Sequence, residues 1–220
     1  MLNRAISALK EGRFVVLYDG KDREGESDLV MHASYVTPEA IRTFRKDAGG
    51  LICFATSGEV MLRMRLDFLS DILRGSPKRQ LNRLAVSRTP YGDKSAFSIA
   101  VNHRKTFTGI TDKDRSLTIN GLSDIISANK GLGEGLARNF YSPGHVPLLF
   151  SRGVESRRGH TELAVELTRL AKMPPAVVVC EMLGNGDALS PQRAKRYAKI
   201  HGIPFIEGKE MIGARTLFPI

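Results

Sequence analysis

Short, continuously apolar runs that alternate with amphipathic segments constrain the fold of this chain most strongly. The clearest run covers residues 176–180 (AVVVC) and follows the helix-breaking pair Pro174-Pro175. Such runs indicate strands that are buried on both faces. The amphipathic segments between them are then helices that pack on the two faces of the sheet. The other predicted strands are residues 14–18, 29–31, 51–55, 97–101, 147–150 and 203–206, and the predicted helices are 2–10, 37–49, 114–128, 161–172 and 190–201. The pattern predicts an α/β fold: a single compact domain with a mixed β-sheet covered by helices.

Composition supports one folded unit. The chain has 220 residues, 42% of them hydrophobic, and lacks an internal repeat or linker, so we expect one domain over residues 1–220. No apolar run reaches the roughly 20 residues of a membrane helix, and the N-terminal segment lacks the apolar centre of a signal peptide. Cys53 and Cys180 form no CxxC pair, which is typical of a reducing compartment. We therefore expect a cytoplasmic protein without a membrane partner.

The chain is strongly basic. Its 33 Lys and Arg residues exceed its 23 Asp and Glu residues, which gives a net charge of +10. This charge attracts anions such as nucleic acid, an acidic membrane surface or a phosphorylated metabolite. The basic residues are dispersed along the sequence, so we expect a phosphorylated substrate and no nucleic acid. An Arg-, Pro- and Ser-rich stretch, residues 75–94, is predicted to be a long exposed loop.

Four acidic residues recur at every second position between two predicted strands: Asp22, Glu24, Glu26 and Asp28. In an extended chain, alternate side chains point to one side, so these carboxylates would share a face. Oxygen ligands gathered in this way suit Mg²⁺ or Mn²⁺. A solvated acidic loop is the alternative, but α/β proteins commonly place their sites in such connecting loops.

A second candidate site lies at the start of the helix predicted at residue 161, where residues 157–162 read RRGHTE. Free N–H groups at a helix start, a glycine that permits close approach and a threonine hydroxyl make an anion site. The two arginines add charged donors. His160 is a candidate metal ligand or base. Simple helix capping with surface arginines is the alternative reading.

Three further segments carry reactive groups. His145 lies in the Pro-Gly turn of residues 142–146 and is a candidate general base or merely a turn residue. The hydroxyl-rich loop of residues 106–115 either offers N–H groups to a sugar phosphate or only caps the next helix through Thr111 or Asp112. Glu181 directly follows the strand of residues 176–180, at the strand end where ligands bind in open α/β sheets.

Taken together and in this order, these segments resemble one family, the 3,4-dihydroxy-2-butanone 4-phosphate synthases of riboflavin biosynthesis. The family's acidic motif DRE-x-E-x-D matches residues 22–28, and its Pro-Gly-His-Val matches residues 143–146. The other matching motifs are Gly-Gly-hydrophobic-Cys at 49–53, Thr-Gly-x-x-x-x-Asp-Arg at 108–115, Arg-x-Gly-His-Thr-Glu at 157–162 and Cys-Glu at 180–181. The resemblance extends over residues 2–207, nearly the whole chain.

The resemblance implies a lyase that converts D-ribulose 5-phosphate to L-3,4-dihydroxy-2-butanone 4-phosphate and formate with Mg²⁺, or with Mn²⁺. It implies a cytoplasmic homodimer in the monofunctional form, without a GTP cyclohydrolase II domain. Glu24 and His160 are the implied metal ligands, and His145 and Glu181 the implied catalytic residues. The implied substrate-binding residues are Arg23, Glu24, Asp28, Arg157, Arg158, Gly159, His160, Thr161 and Glu181.

Two other classes of function stay open at this point. A nucleic-acid-binding protein would use the charge of +10, would bind in a strongly salt-dependent way and would not need the acidic loop. A different metal-dependent isomerase or aldolase of sugar phosphates would use the same groups but would release no formate.

Overall fold

A seven-stranded sheet forms the centre of the computed structural model, which describes residues 1–90 and 92–217. The strands are β1 (Val15–Tyr18), β2 (Ser27–His32), β3 (Cys53–Ser57), β4 (Phe97–His103), β5 (Phe140–Ser151), β6 (Ala176–Glu181) and β7 (Phe205–Glu207). Their order across the sheet is β4-β5-β3-β6-β2-β1-β7. β3 runs parallel to β5 and β1 parallel to β7, whereas the other neighbouring pairs are antiparallel. The predicted mixed sheet is confirmed.

Helices cover both faces of this sheet. They are α1 (Leu2–Lys10), α2 (Pro38–Thr43), α3 (Gly58–Met64), α4 (Leu69–Arg74), α5 (Arg79–Leu84), α6 (Asp112–Ala128), α7 (Leu132–Asn139), α8 (His160–Leu170), α9 (Pro191–Ile200) and α10 (Gly208–Leu217). A 3₁₀ turn (Ala33–Tyr35) and a π-helical turn (Phe44–Ala48) lie beside α2. Within the described ranges, no helix combines the length and the apolar character needed to cross a membrane.

The central strand β6 shows why two layers of helices are needed. Successive side chains of a strand point to opposite faces. Val178 joins the core that contains Leu122 of α6, and Val179 joins the core on the other face that contains Leu163 of α8. Burying a valine side chain stabilises the fold by about 2 kcal/mol. A strand that is apolar on both faces therefore requires helices on both sides, as the sequence predicts.

Local signals place several helix ends correctly. The Thr37 hydroxyl accepts the N–H of Ala40 at 3.2 Å, and Pro38 occupies the first position of α2. The helical segment ends at Gly49, whose φ of 90° lies in the left-handed region that glycine adopts without strain. The predicted cap and the predicted end of this segment are both confirmed.

Other expectations need correction. The described residues of the stretch 75–94, which are 75–90 and 92–94, are largely exposed, but they include the short helix α5, so the stretch is not a continuous loop. α3, α4, α7 and α10 were not predicted from the sequence. α7 contains two glycines, yet it buries Leu132 and Leu136 against the rest of the fold. Tertiary burial outweighs the low helix propensity of glycine there, and no local pattern announces it.

Candidate active site

One end of the sheet brings most of the predicted site residues together. The acidic loop connects β1 to β2 at this end, and β6 finishes here with Glu181. Asp28 and Glu181 are direct partners in the antiparallel ladder between β2 and β6. α8 also begins at this corner, because Nε2 of His160 lies 3.1 Å from the carbonyl oxygen of Glu26. The acidic loop, the RRGHTE segment and the end of β6 thus form one site.

The acidic loop is not the extended row that alternating acids predict. Residues 21–24 form a turn, and Gly25 has a φ of 69°. The loop closes around Asp19, whose carboxylate accepts the N–H groups of Glu24 and Glu26, both at 3.1 Å. These charge-assisted bonds stabilise the turned conformation, and the expected extended face is therefore wrong. Sequence analysis missed Asp19, although a carboxylate directly after a buried strand was a usable signal.

Three side chains of this corner could hold a metal ion. Ligand atoms of Asp19, Glu24 and His160 all lie within 4.8 Å of one another. Nδ1 of His160 is 3.5 Å from Oε2 of Glu24, and its Nε2 is 3.6 Å from Oδ1 of Asp28. Among the described residues, no group hydrogen-bonds to this buried Asp28 oxygen. Hard oxygen donors with an unsatisfied buried carboxylate fit Mg²⁺ or Mn²⁺, which would complete their shells with water or substrate.

The electrostatics of the corner favour a cation. Burial by itself would lower the pKa of His160, but the carboxylates of Asp28, Glu24 and Asp19 outweigh burial and raise it to about 10. Burial raises the pKa of Asp28 to about 7, with His160 acting in the opposite direction and Glu181 adding to the increase. Positive charge at this position therefore stabilises the carboxylates, whether a proton on the imidazole or a bound metal supplies it.

Two arginines lie beside the acidic group. The Arg23 guanidinium is 2.6 Å from the carboxylate of Asp93 and 3.3 Å from that of Glu24. Arg157 forms a short ion pair with Glu162 and lies 3.5 Å from Asp93. Asp93 belongs to the segment between α5 and β4, and nothing in its local sequence announced a site residue. It places a carboxylate between the two arginines.

Gly159 is required where these arginines meet. A Cβ atom at this position would lie 2.3 Å from Nη1 of Arg23 and 2.4 Å from Nη1 of Arg157. Any other residue would displace both guanidinium groups. The glycine also leads directly into the first turn of α8, where His160 and Thr161 are buried. The arrangement agrees with the predicted anion site at a helix start.

A cleft of about 860 Å³ opens beside the arginines, a volume that is usual for a small-molecule site. Asp19 lines it and also belongs to the metal-binding group. The basic side chains that line the cleft are Lys21, Arg23, Arg157, Arg158, Lys195 and Lys209. The predicted residue Arg158 is exposed in this cleft. The acidic side chains that line it are Asp19, Asp22, Asp93, Glu155 and Glu207. A negatively charged group of modest size therefore matches the part of the cleft beside the arginines.

Glu181 lies at the inner edge of the site. Its Oε2 accepts the N–H of Leu51 at 2.8 Å, which orients the carboxylate. A Cβ atom on Gly50 would lie 2.5 Å from the same oxygen, so the glycine of the GGLIC segment is needed for this approach. The side chain is only half-buried. Asp28 is the direct ladder partner of Glu181, and the charge of Glu181 contributes to the raised pKa of Asp28.

His145 is not part of this cluster. It lies on β5, and β3 separates β5 from β6, so two strand spacings or about 10 Å divide it from the Glu181 strand. Its side chain is exposed, and Nδ1 lies 3.1 Å from the amide nitrogen of Asn102. The predicted Pro-Gly turn is wrong, because residues 142–146 lie within β5, at an irregularity in its pairing with β4. Nothing in the local sequence indicated Asn102 as the partner of His145, because 43 positions separate the two residues.

The hydroxyl-rich loop of residues 106–115, called the Thr-Gly loop here, binds a carboxylate from its own segment. The N–H groups of Phe107, Thr108 and Gly109 all donate to the carboxylate of Asp114. These three donors are therefore used within the loop, and phosphate binding by the other groups of the loop stays a prediction. The predicted cap is confirmed, because the Thr111 hydroxyl accepts the N–H of Asp114 at the start of α6.

Comparisons with known proteins agree with this geometry. The sequence model of the 3,4-dihydroxy-2-butanone 4-phosphate synthase family matches residues 3–214. The chain is 41% identical to the synthase of that name from Methanosarcina mazei, over 99% of this chain and 92% of the relative. The synthase from Methanothermobacter thermautotrophicus is also 41% identical, over 96% of this chain and 94% of the relative.

Among solved structures, a 3,4-dihydroxy-2-butanone 4-phosphate synthase in complex with two magnesium ions superimposes with a TM-score of 0.76 and 27% sequence identity. The match covers 97% of this chain and 95% of that chain. Family sequence, archaeal relatives and fold all point to one assignment. The chain belongs to the 3,4-dihydroxy-2-butanone 4-phosphate synthase family, and it is a lyase of riboflavin biosynthesis.

Proposed function

We propose that this chain converts D-ribulose 5-phosphate to L-3,4-dihydroxy-2-butanone 4-phosphate and formate. The observation that carries the proposal is that Asp19 belongs to an oxygen-rich metal group and also lines the cleft that Arg23 and Arg157 share. A phosphorylated ketose is complementary to this arrangement, because its phosphate suits the arginines and its neighbouring oxygens suit a metal. The family membership supports the same reaction.

Glu24 and His160 would hold the metal, and Asp19 is within reach as a further ligand. Mg²⁺, or Mn²⁺ in its place, would supply positive charge to substrate oxygens as negative charge develops on them. A solved synthase with two magnesium ions supports a divalent metal in this fold. The buried, unsatisfied oxygen of Asp28 faces the same group and is available to substrate or to the metal's water shell.

The phosphate would be bound at the start of α8. Arg23 and Arg157 supply charged donors, Arg158 lines the same cleft, and the helix start offers N–H groups next to Gly159 and Thr161. In the substrate-free arrangement, Asp93 is the carboxylate between the two arginines. A substrate phosphate would replace it there.

Two groups would handle protons. The reaction removes a proton from a carbon beside a carbonyl, so a base and a stabilising donor are needed at neutral pH. Glu181 is held by the N–H of Leu51 at the end of β6, opposite Asp28, and is the proposed base. His145 is the second proposed group. It lies two strands away from Glu181 and is exposed.

We also propose a cytoplasmic homodimer, on the basis of the family resemblance and the general preference of soluble enzymes for two-fold assembly. Light scattering during size-exclusion chromatography, at micromolar concentration and under assay conditions, should give twice the 24.2 kDa chain mass. A stable monomer that is fully active would contradict this part of the proposal.

The decisive experiment is incubation with D-ribulose 5-phosphate and Mg²⁺, with formate measured enzymatically. We expect one formate for each phosphorylated butanone formed and no product in excess EDTA, with recovery when Mg²⁺ or Mn²⁺ is restored. An isomerase or aldolase would consume the substrate without formate. Consumption without formate, or full activity in EDTA, would therefore reject the proposed reaction or its metal requirement, respectively.

A further inference from the structure

The side chain of Asn102 binds His145 at two points. Asn102 lies on β4 and is 2% exposed. Its Oδ1 accepts the backbone N–H of His145 at 2.8 Å, and its Nδ2 is 3.1 Å from Nδ1 of the His145 ring. Nδ2 also donates to the Tyr141 hydroxyl at 3.1 Å. One buried amide thus contacts the main chain and the ring of the same histidine.

This arrangement determines which way the amide points. A backbone N–H can only donate, so the amide atom that faces it must be the oxygen. The nitrogen then faces Nδ1 of His145, and because an amide nitrogen can only donate, Nδ1 must accept. An acceptor Nδ1 carries no proton. The neutral ring therefore carries its proton on Nε2.

Two motif glycines permit the close packing around Asn102. A Cβ atom on Gly109 would lie 2.0 Å from Nδ2 of Asn102, and a Cβ atom on Gly144 would lie 2.0 Å from the carbonyl carbon of Val101. Gly109 therefore lets the Thr-Gly loop lie directly against the Asn102 amide, and Gly144 lets β5 lie directly against the main chain of residues 101 and 102. Both glycines keep Asn102 and His145 within hydrogen-bond distance of each other.

We propose that Asn102 is a positioning residue that holds the neutral His145 ring as its Nε2–H tautomer, so that Nε2 donates a hydrogen bond to a substrate oxygen. Protonation at Nδ1 would set two N–H groups against each other across 3.1 Å, and Nε2 already carries a proton. A neutral imidazole that polarises a carbonyl is a known device of enolising enzymes. The inference rests on the proposed function and assigns the proton-accepting role to a carboxylate, Glu181.

The ring state can be measured without any reaction. Long-range ¹H–¹⁵N correlation spectra of the ¹⁵N-labelled full chain separate a protonated from an unprotonated ring nitrogen. The His145 signals are assigned by their loss in His145→Gln. We expect an unprotonated Nδ1 and a protonated Nε2 at neutral pH. A protonated Nδ1 in the unaltered protein would overturn the inference, and this measurement does not depend on whether any variant folds.

Asn102→Asp tests the consequence for catalysis. A carboxylate at this position accepts from Nδ1–H and so moves the ring proton from Nε2 to Nδ1. We expect kcat for formate release to fall by about 10²-fold with little change in KM, the scale of one positioned proton-handling group. Asn129→Asp, which adds the same charge at the exposed end of α6, is the matched control and should leave the spectrum and kcat unchanged. Circular dichroism checks that both variants are folded.

The two readouts separate failure of this inference from failure of the proposed function. If Asn102→Asp moves the ring proton and kcat stays at the unaltered level, His145 is not a donor in the reaction. If the unaltered protein releases no formate from D-ribulose 5-phosphate, the proposed function fails and the donor role fails with it. The spectrum still decides in that case whether Asn102 sets the His145 tautomer.

Discussion

The corner at the start of α8 and the antiparallel pair of β4 and β5 each present a histidine, but the two rings have opposite surroundings. His160 is 7% exposed and lies among three carboxylates that raise its pKa to about 10. His145 is exposed, and its ring nitrogen faces the neutral amide of Asn102. The same side chain is therefore prepared for positive charge in one region and for a neutral hydrogen-bond donor in the other.

The difference shows that the partner of a histidine decides its chemistry more than the histidine itself does. Carboxylates within 4 Å favour a proton or a metal ion on the ring, because they lower the free energy of positive charge. The Oδ1 atom of Asn102 is occupied by the backbone N–H of His145, so the amide nitrogen faces the His145 ring. An amide nitrogen can only donate, so Nδ1 of His145 is the acceptor. We expect variants of the metal group and of the groups that contact Arg23 to alter metal or phosphate binding, and variants of His145 and Asn102 to alter kcat alone.

The largest effect is expected at the charged corner. Glu24→Gln removes one of the three ligands of the metal group, so metal-dependent formate release should fall to background while the fold is retained. Turnover and Mn²⁺ binding, the latter followed by electron paramagnetic resonance, check this together. Glu59→Gln on the exposed face of α3 is the matched control and should behave as the unaltered protein. Retained turnover in Glu24→Gln would show that Glu24 is not a metal ligand.

The proton-handling groups come next. Glu181→Gln and His145→Ala should each lower kcat by about 10²–10⁴-fold, the usual contribution of a positioned acid–base group. Both should still bind Mn²⁺, since neither residue belongs to the metal group. Steady-state kinetics and metal titration of the same preparations measure kcat and the affinity for Mn²⁺. A variant with nearly unaltered kcat would make that residue a structural bystander, and loss of Mn²⁺ binding in His145→Ala would abolish the distinction between the two regions.

The buried ion pair between Glu162 and Arg157 should contribute to the stability of the fold. The Glu162 side chain is fully buried, pairs with Arg157 and accepts the N–H of Arg152 at 3.0 Å. Glu162→Gln leaves the Arg157 charge without its buried partner, and we expect the free energy of unfolding to drop by about 3 kcal/mol. Urea denaturation measures this. Glu59→Gln, whose ion pair is exposed, serves again as the control, and equal stability of the two variants would contradict the buried role of Glu162.

The smallest effect is expected at Asp93. Its carboxylate lies 2.6 Å from Arg23 and 3.5 Å from Arg157, where a substrate phosphate would compete with it. Asp93→Asn should therefore strengthen inorganic phosphate binding by about threefold, a modest change because the pair is partly exposed. Isothermal titration calorimetry with phosphate measures it. Asp71→Asn, from the exposed pair with Arg74, should leave phosphate affinity unchanged. Weaker binding in Asp93→Asn would show that the carboxylate helps to orient the arginines.

Much of this protein was determined by its local sequence. Continuous apolar runs predicted the strands, and the alternation of β6 side chains between two cores explains why the prediction succeeded. The capping pattern of Thr37 and Pro38 predicted the start of α2 for an equally local reason. Glu24 and His160 were also identified in the sequence, because their motifs lie in short contiguous segments, and the fold brings them within ligand distance of each other.

Only the tertiary structure decided how these segments cooperate. The acidic loop folds around Asp19 because two N–H groups reach its carboxylate, which no alternation of acids foretells. Asp93 reaches Arg23 across 70 positions, and Asn102 reaches His145 across 43. Contacts between distant segments depend on sheet order and loop path, which local patterns do not encode. The local sequence therefore identified the reactive groups. The packing of the whole chain determined which partners surround each of these groups.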